Sequence, residues 1–103
     1  MSDKARCELE KIECELRDLQ TCITMEETEV TSLKRRHDVA SMRACRQASR
    51  DPGGLPRAAL TELAYIATWI KYAQSQLDDL NCQRRQLQER RREILAPRVA
   101  AVP

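Results

Sequence analysis

Apolar side chains recur at alternating spacings of four and three residues through the first half of the chain. This heptad spacing is typical of a helix that packs along one side against another helix. It predicts a helix over about residues 4–49, capped at its start by Ser2 or Asp3. Two polar residues, Glu26 and His37, interrupt the heptad seam. The seam positions are Ala5, Leu9, Ile12, Leu16, Leu19, Ile23, Glu26, Val30, Leu33, His37, Ala40 and Ala44.

A cluster of helix-breaking residues follows this segment and predicts a turn over residues 50–55. Both glycines of the chain, Gly53 and Gly54, lie here with Pro52 in front of them. Proline lacks the backbone N–H that a continuing helix needs, and its ring clashes with the preceding turn. Pro56 is well placed as the first residue of a new helix, because its fixed φ suits that position.

The same alternation of four and three resumes after the turn and predicts a second helix over about residues 56–95. Arg84 and Arg91 interrupt its apolar seam. Pro97 is expected to end the helix, which would leave residues 97–103 as a flexible tail. The seam positions are Ala59, Leu63, Ile66, Ile70, Ala73, Leu77, Leu80, Arg84, Leu87, Arg91 and Ile94.

Two long heptad segments joined by a short turn predict an all-α fold, an antiparallel two-helix coiled-coil hairpin in one domain over residues 1–96. The distribution of charge supports this pairing. Residues 1–33 carry four Lys/Arg against nine Asp/Glu, residues 34–57 seven against two, and residues 58–103 seven against five. An antiparallel fold therefore places the acidic first arm along the Arg-rich segment 84–92, and unlike charges favour that orientation.

Each seam contains a charged residue near one layer of the hairpin. With the turn centred near Gly53 and Gly54, antiparallel pairing places Glu26 beside the layer of Leu80 and Arg84. Glu26 of the first seam and Arg84 of the second carry opposite charges. We interpret them as a polar layer that specifies the register of the helices rather than adding stability. In the alternative interpretation, Arg84 extends over the seam toward solvent and Glu26 faces water.

All three aromatic side chains of the protein lie within two helical turns. Tyr65, Trp69 and Tyr72 follow one another at spacings of four and three residues, on a line that continues to Gln76 and lies beside the seam. We call these four residues the aromatic stripe. Aromatic side chains are enriched where proteins bind one another. The stripe is therefore predicted to bind a partner, or alternatively to pack on a third helix or a second copy of the chain.

The sequence contains little that predicts catalysis or a cofactor. Its only histidine is His37 and its five cysteines form no CxxC pair, so neither a zinc site nor a nucleophile with a base is indicated. There is no glycine-rich phosphate loop. We expect no enzyme activity, no cofactor and no metal. The basic clusters at residues 34–36 and 90–92 alternate with acidic residues, so nucleic-acid binding is not favoured.

The composition of the chain indicates both its secondary structure and its location. A third of the residues are charged, only two are glycine, and phenylalanine is absent, which is typical of long helices. No apolar run reaches the length of a transmembrane helix, and the charged first residues do not resemble a secretory signal. The odd number of cysteines is expected to stay reduced. We therefore expect a cytoplasmic location without membrane insertion.

The second helical segment also resembles a known family. The stretch GGLPRAALTELAYIATWIKYAQSQLDDLNCQRRQLQERRREIL is similar to the second half of the FliJ/YscO family of flagellar and type III secretion export proteins. Residues 8–48 fit the leading helix of that family as a heptad pattern. The resemblance implies a cytosolic helical hairpin with an aromatic-rich tip and a stem rich in glutamine, arginine and glutamate.

The same resemblance implies partners for the two ends of the hairpin. The stem formed by both termini would insert into the ring of the export ATPase, and the tip would contact the export-gate membrane protein or escort chaperones. Tyr65, Trp69 and Tyr72 occupy the aromatic tip region. On the first helix Val39, Met42 and Arg46 stand where the family has aromatic residues, and this departure weakens the inference of gate binding.

The leading hypothesis is thus a non-enzymatic coiled-coil adaptor or stalk for protein transport by a type III or flagellar export apparatus. The main alternative is a small helical chaperone or assembly subunit that binds a partner helix through the aromatic stripe. A further alternative is a homodimeric four-helix bundle with a basic face that binds nucleic acid. The mass of the protein in solution and the proteins that co-purify with it separate these hypotheses.

Overall fold

The computed structural model describes residues 2–50, 53–54 and 56–100, with side chains described as far as residue 96. Two α-helices make up the fold: α1 spans Asp3–Arg50 and α2 spans Arg57–Ala100. No strand occurs among these residues. The two helices pack against each other, which confirms the predicted all-α antiparallel helical hairpin.

Side-chain and backbone groups of Ser2 cap the start of α1. The backbone N–H of Ala5 donates to Ser2 Oγ at 3.1 Å, and the N–H of Arg6 donates to the Ser2 carbonyl at 3.0 Å. These bonds satisfy donors that have no partner within the helix. Asp3 in the first turn and Arg50 in the last both suit the helix dipole. Of the two predicted caps, Ser2 is the one that the structure uses.

Gly54, in the described part of the connection between the helices, has a backbone conformation that favours glycine. Gly54 has a φ of +93°, a conformation that side chains with a Cβ atom rarely adopt. The Pro56 carbonyl accepts from Ala59 at 3.0 Å and from Leu60 at 3.3 Å, so Pro56 precedes the first residue of α2 instead of being that residue. The predicted turn over 50–55 includes Asp51, Pro52 and Leu55, which lie outside the described residues.

Helix α2 continues beyond the predicted end near residue 95 and includes Pro97, reaching Ala100. The prediction that Pro97 stops the helix therefore differs from the structure. Proline removes one backbone hydrogen bond, but its fixed φ is close to the helical value, so a helical backbone can continue through it. The remainder of the predicted flexible tail, 101–103, lies outside the described residues.

The helices contribute to two compact units. The terminal unit contains Met1–Met25 and Leu77–Pro103, and the turn unit contains Glu26–Gln76. The prediction of one domain over 1–96 stays a prediction. In the terminal unit Ile12, Ile23 and Leu77 are buried. Its half-buried seam residues include Leu9, Leu16, Leu19, Leu80, Leu87 and Ile94.

The core of the turn unit is built from smaller side chains. Its buried residues are Val30, Leu33, Ala44, Ile66 and Ala73. Because two of these five are alanine, little apolar area is available to each layer of this core. In both units every predicted seam position except Arg91 is buried or half-buried. The heptad spacing therefore correctly predicted which side of each helix packs against the other.

Candidate functional site

The aromatic stripe lies on the exposed side of α2. Tyr65, Trp69 and Tyr72 are 66%, 58% and 62% exposed, respectively. Their helical spacing places all three on one side, and Gln76 extends this side by donating from Nε2 to the Tyr72 hydroxyl at 3.0 Å. The residues predicted to bind a partner are therefore accessible together within the turn unit.

Seam residues alternate with the stripe along the same helix. Ile66 and Ala73 are only 5% and 3% exposed, although each is within four positions of Trp69. The aromatic rings therefore lie beside the seam and not in it. Large exposed aromatic side chains leave apolar area in water, which is unfavourable and is relieved when a partner covers them.

Two of the rings border a groove between the helices of the turn unit. Tyr65 and Trp69 line it on α2, and its volume is about 590 Å³. Residues of α1 complete it, including the buried Leu33 and the charged Glu29 and Arg36. The groove thus combines an apolar base with aromatic and charged sides, which is the composition of a protein-binding surface rather than of an enclosed ligand pocket.

A second groove of about 350 Å³ adjoins the first on α1. Arg35, Arg36 and Arg43 line it around Val39, whose side chain is 48% exposed. Arg36, Glu62 and Ile66 line both grooves. Tyr65 and Trp69 of the aromatic stripe and this basic part of α1 therefore belong to one continuous surface, which we call the groove surface.

The α1 residues of the groove surface were missed in the sequence prediction. They occupy positions flanking the seam, where Arg36 and Arg43 follow Glu29 at intervals of one heptad. In an antiparallel pair these positions lie beside the flanking positions of the other helix, to which Glu62 and Trp69 belong. The heptad positions could therefore have identified these α1 residues as neighbours of Glu62 and Trp69.

The two residues of the predicted polar layer lie in different units. Glu26, in the turn unit, has a buried Oε1 atom without a hydrogen-bond partner among the described residues. Arg84, in the terminal unit, donates from Nη1 to Gln20 Oε1 at 2.9 Å and from Nη2 to Asn81 Oδ1 at 3.0 Å. The pairing of Glu26 with Arg84 stays a prediction, and Gln20 and Asn81 are partners that the sequence reasoning missed.

The terminal unit carries cross-helix ion pairs. Arg90 Nη2 lies 2.7 Å from Glu8 Oε1 and Arg91 Nη2 lies 3.5 Å from Glu13 Oε1. The hydrogen bond to Glu8 is the main reason that the pKa of Arg90 is raised above its ordinary value, with Glu93 contributing as well. The predicted attraction between the acidic first arm and the Arg-rich segment is thus present in these two contacts.

The remaining chemically active side chains do not converge. All five cysteines are free and exposed, and His37 is half-buried in the seam of the turn unit. Within the part of the chain that the structure describes, no three His, Cys, Asp or Glu side chains could hold a metal ion together. Nor does any helix in that part combine the length and apolar character needed to cross a membrane.

Comparison with protein-family models, with curated proteins and with solved structures finds no match for this chain. The FliJ/YscO resemblance therefore rests on the residues of the second helix quoted above. The groove surface, by contrast, rests on side-chain exposure and on contacts between the helices. It is the feature from which a function can be argued.

Proposed function

We propose that this protein is a non-enzymatic coiled-coil adaptor that binds a protein partner through the aromatic stripe. The observation that carries the proposal is the exposure of Tyr65, Trp69 and Tyr72, each more than half accessible, on the side of α2 away from the seam. Trp and Tyr at a protein interface bury large areas with few rotamers lost, so they often dominate binding energy.

The resemblance to the FliJ/YscO family supports a more specific role. In that role the protein acts in the cytoplasm as a stalk of a type III or flagellar export apparatus. The terminal unit would contact the export ATPase ring, and the turn unit, with its aromatic stripe, would contact the export gate or the chaperones. The exposed aromatic side chains of the turn unit support this role, because they give the predicted tip a surface for a partner.

The groove between the helices also supports the alternative of a small helical chaperone or assembly subunit. A volume of about 590 Å³ bordered by two aromatic rings can accept the apolar side chains of a partner helix. Both roles use the same stripe. They differ in the partner that the stripe binds: the export gate or escort chaperones in the first, and small secreted or assembling proteins in the second.

Affinity capture from the source cells tests the proposal. Tagged protein is compared with Trp69→Ala and with the control Met25→Ala, which removes a side chain that is 68% exposed on α1. We expect Trp69→Ala alone to lose the captured partner, which mass spectrometry then identifies. Loss of a gate protein or escort chaperone in Trp69→Ala, with an export ATPase retained through the terminal unit, supports the stalk role. Loss of small secreted proteins supports the chaperone role. Equal capture by all three proteins contradicts binding through the stripe.

A further inference from the structure

We infer that the partner segment bound by the groove surface is an amphipathic helix with acidic residues along one edge; this inference rests on the proposed function and specifies its partner. The apolar side of such a helix would cover Tyr65, Trp69 and Val39. Its acidic edge would lie over Arg35, Arg36 and Arg43.

The charge requirement follows from the basic part of the groove surface. Arg35, Arg36 and Arg43 of α1 line the second groove. Glu62 of α2 is the acidic residue among its lining side chains. No ion pair of these three arginines is found among the described residues, whereas the ion pairs that are found lie in the terminal unit. Carboxylates of a partner would supply the missing countercharge and would be favoured by charge-assisted hydrogen bonds.

The helical form of the partner follows from the dimensions of the surface. The stripe from Tyr65 to Gln76 runs along about 16 Å of α2, at 1.5 Å per residue, which corresponds to about three helical turns. The two grooves share the lining residues Arg36, Glu62 and Ile66, so one helix can contact the aromatic and the basic parts together. A helix laid in a groove buries apolar residues at spacings of three and four, which matches the spacing of the stripe.

Other occupants fit the charges less well. A second copy in an isologous contact presents the same patch, so it brings the same surplus of arginine and no surplus of carboxylate. A nucleic-acid strand is anionic along its whole length, and Glu29 and Glu62 line the aromatic groove where such a strand would pass. An acidic edge on an otherwise apolar helix would instead place its carboxylates over the second groove, where three arginines outnumber Glu62, and would leave its apolar side toward Glu29.

Binding of matched synthetic peptides to the full chain tests the inference. The acidic peptide, of about 18 residues, carries leucine at helical spacings of three and four, glutamate along one flanking edge and alanine elsewhere. The basic control replaces each glutamate by lysine. Binding is followed by the anisotropy of a label on the peptide, at low and at high salt.

We expect the acidic peptide to bind at least about tenfold more tightly than the basic peptide at low salt, with the difference shrinking as salt screens the charges. The double variant Arg36→Glu, Arg43→Glu should reverse this order, and Trp69→Ala should weaken both peptides. Circular dichroism confirms that each variant is still helical, so that a loss of binding is not a loss of fold.

The outcomes separate this inference from the proposed function. Equal binding of both peptides, lost in Trp69→Ala, overturns the acidic partner and leaves the aromatic binding surface standing. Binding of neither peptide overturns the inference, as does displacement of the acidic peptide by a single-stranded oligonucleotide. Sedimentation equilibrium that shows a dimer dissociated by Trp69→Ala assigns the surface to a second copy and also overturns it.

Discussion

Arg90 of α2 holds one carboxylate oxygen of Glu8 of α1 with two of its nitrogens. Its Nε and Nη2 atoms lie 2.8 and 2.7 Å from Glu8 Oε1, and its Nη1 atom lies 3.2 Å from Glu93 Oε2. Glu8 and Arg90 are 82 positions apart in sequence. This contact joins the two helices of the terminal unit in antiparallel orientation and places the acidic arm on the basic one.

Reversing the charge of one partner tests the contribution of this contact to helix pairing. We expect Glu8→Arg to lower the melting temperature by a few degrees at low salt, because it places like charges beside each other. Glu8→Arg combined with Arg90→Glu should recover part of the loss, since Arg90→Glu restores unlike charges between the helices but removes the contact with Glu93. Added salt should reduce the difference between these proteins, since both side chains are largely exposed and screened. If the double variant is no more stable than Glu8→Arg, the contact does not help to orient the helices.

Gly54 is expected to be the position in the connection that tolerates substitution least. An alanine there must adopt a φ near +93°, which costs about 1–2 kcal/mol for a residue with a Cβ atom. Apart from its chain neighbours, no atom of the described residues lies within 4 Å of the added Cβ, so the expected cost comes from backbone strain and not from a steric clash. Thermal unfolding of Gly54→Ala should therefore show a clear loss of stability.

Asparagine at the same position provides the control for this measurement. Asparagine adopts the left-handed region more readily than alanine, because its short polar side chain can hydrogen-bond locally. We therefore expect Gly54→Asn to lose less stability than Gly54→Ala. An equal loss in both variants would mean that the left-handed conformation at Gly54 is not what limits the connection.

The heptad pattern was sufficient to predict the packed side of each helix. Its alternating spacing identified Ile12, Ile23 and Ile66 as seam residues, and these are 5%, 2% and 5% exposed. The same phase placed Trp69 off the seam, and its exposure confirms that placement. Periodicity succeeds here because burial in a helix pair depends on angular position, which sequence spacing determines directly.

Features that depend on flexible side chains could not be predicted in this way. The partners Gln20 and Asn81 of Arg84 were missed, because sequence spacing does not determine the rotamer with which its long side chain reaches them. The continuation of α2 through Pro97 was also missed. Proline destabilises a helix interior, but favourable interactions in the rest of the helix can outweigh that loss of free energy.

The predicted coupling of Glu26 with Arg84 can be measured by a double-mutant cycle. Glu26→Ala should destabilise the protein more in the wild-type background than in Arg84→Leu, because one unpaired charge in a seam is worse than none. The buried Oε1 of Glu26, which has no hydrogen-bond partner among the described residues, makes this position sensitive to nearby charge. Free energies of unfolding in urea supply the four values of the cycle.

A parallel cycle on Gln20 and Arg84 serves as the positive control. Their hydrogen bond of 2.9 Å should give a coupling energy of about 0.5 kcal/mol or more. If the Glu26 and Arg84 losses add within about 0.3 kcal/mol while the control cycle shows coupling, the two residues do not interact and the predicted polar layer is wrong.

The central claim, that the aromatic stripe is a binding surface and not part of the core, is tested most directly by the fluorescence of Trp69 in the isolated protein. Trp69 is the only tryptophan, so the emission reports on this side chain alone. With the side chain 58% exposed, we expect emission close to that of free tryptophan, ready quenching by iodide and by neutral acrylamide, and a change of no more than about 0.5 kcal/mol in stability for Trp69→Ala. Blue-shifted emission that resists both quenchers in a monomer, with a large loss of stability in Trp69→Ala, would place the stripe in the core and contradict the claim.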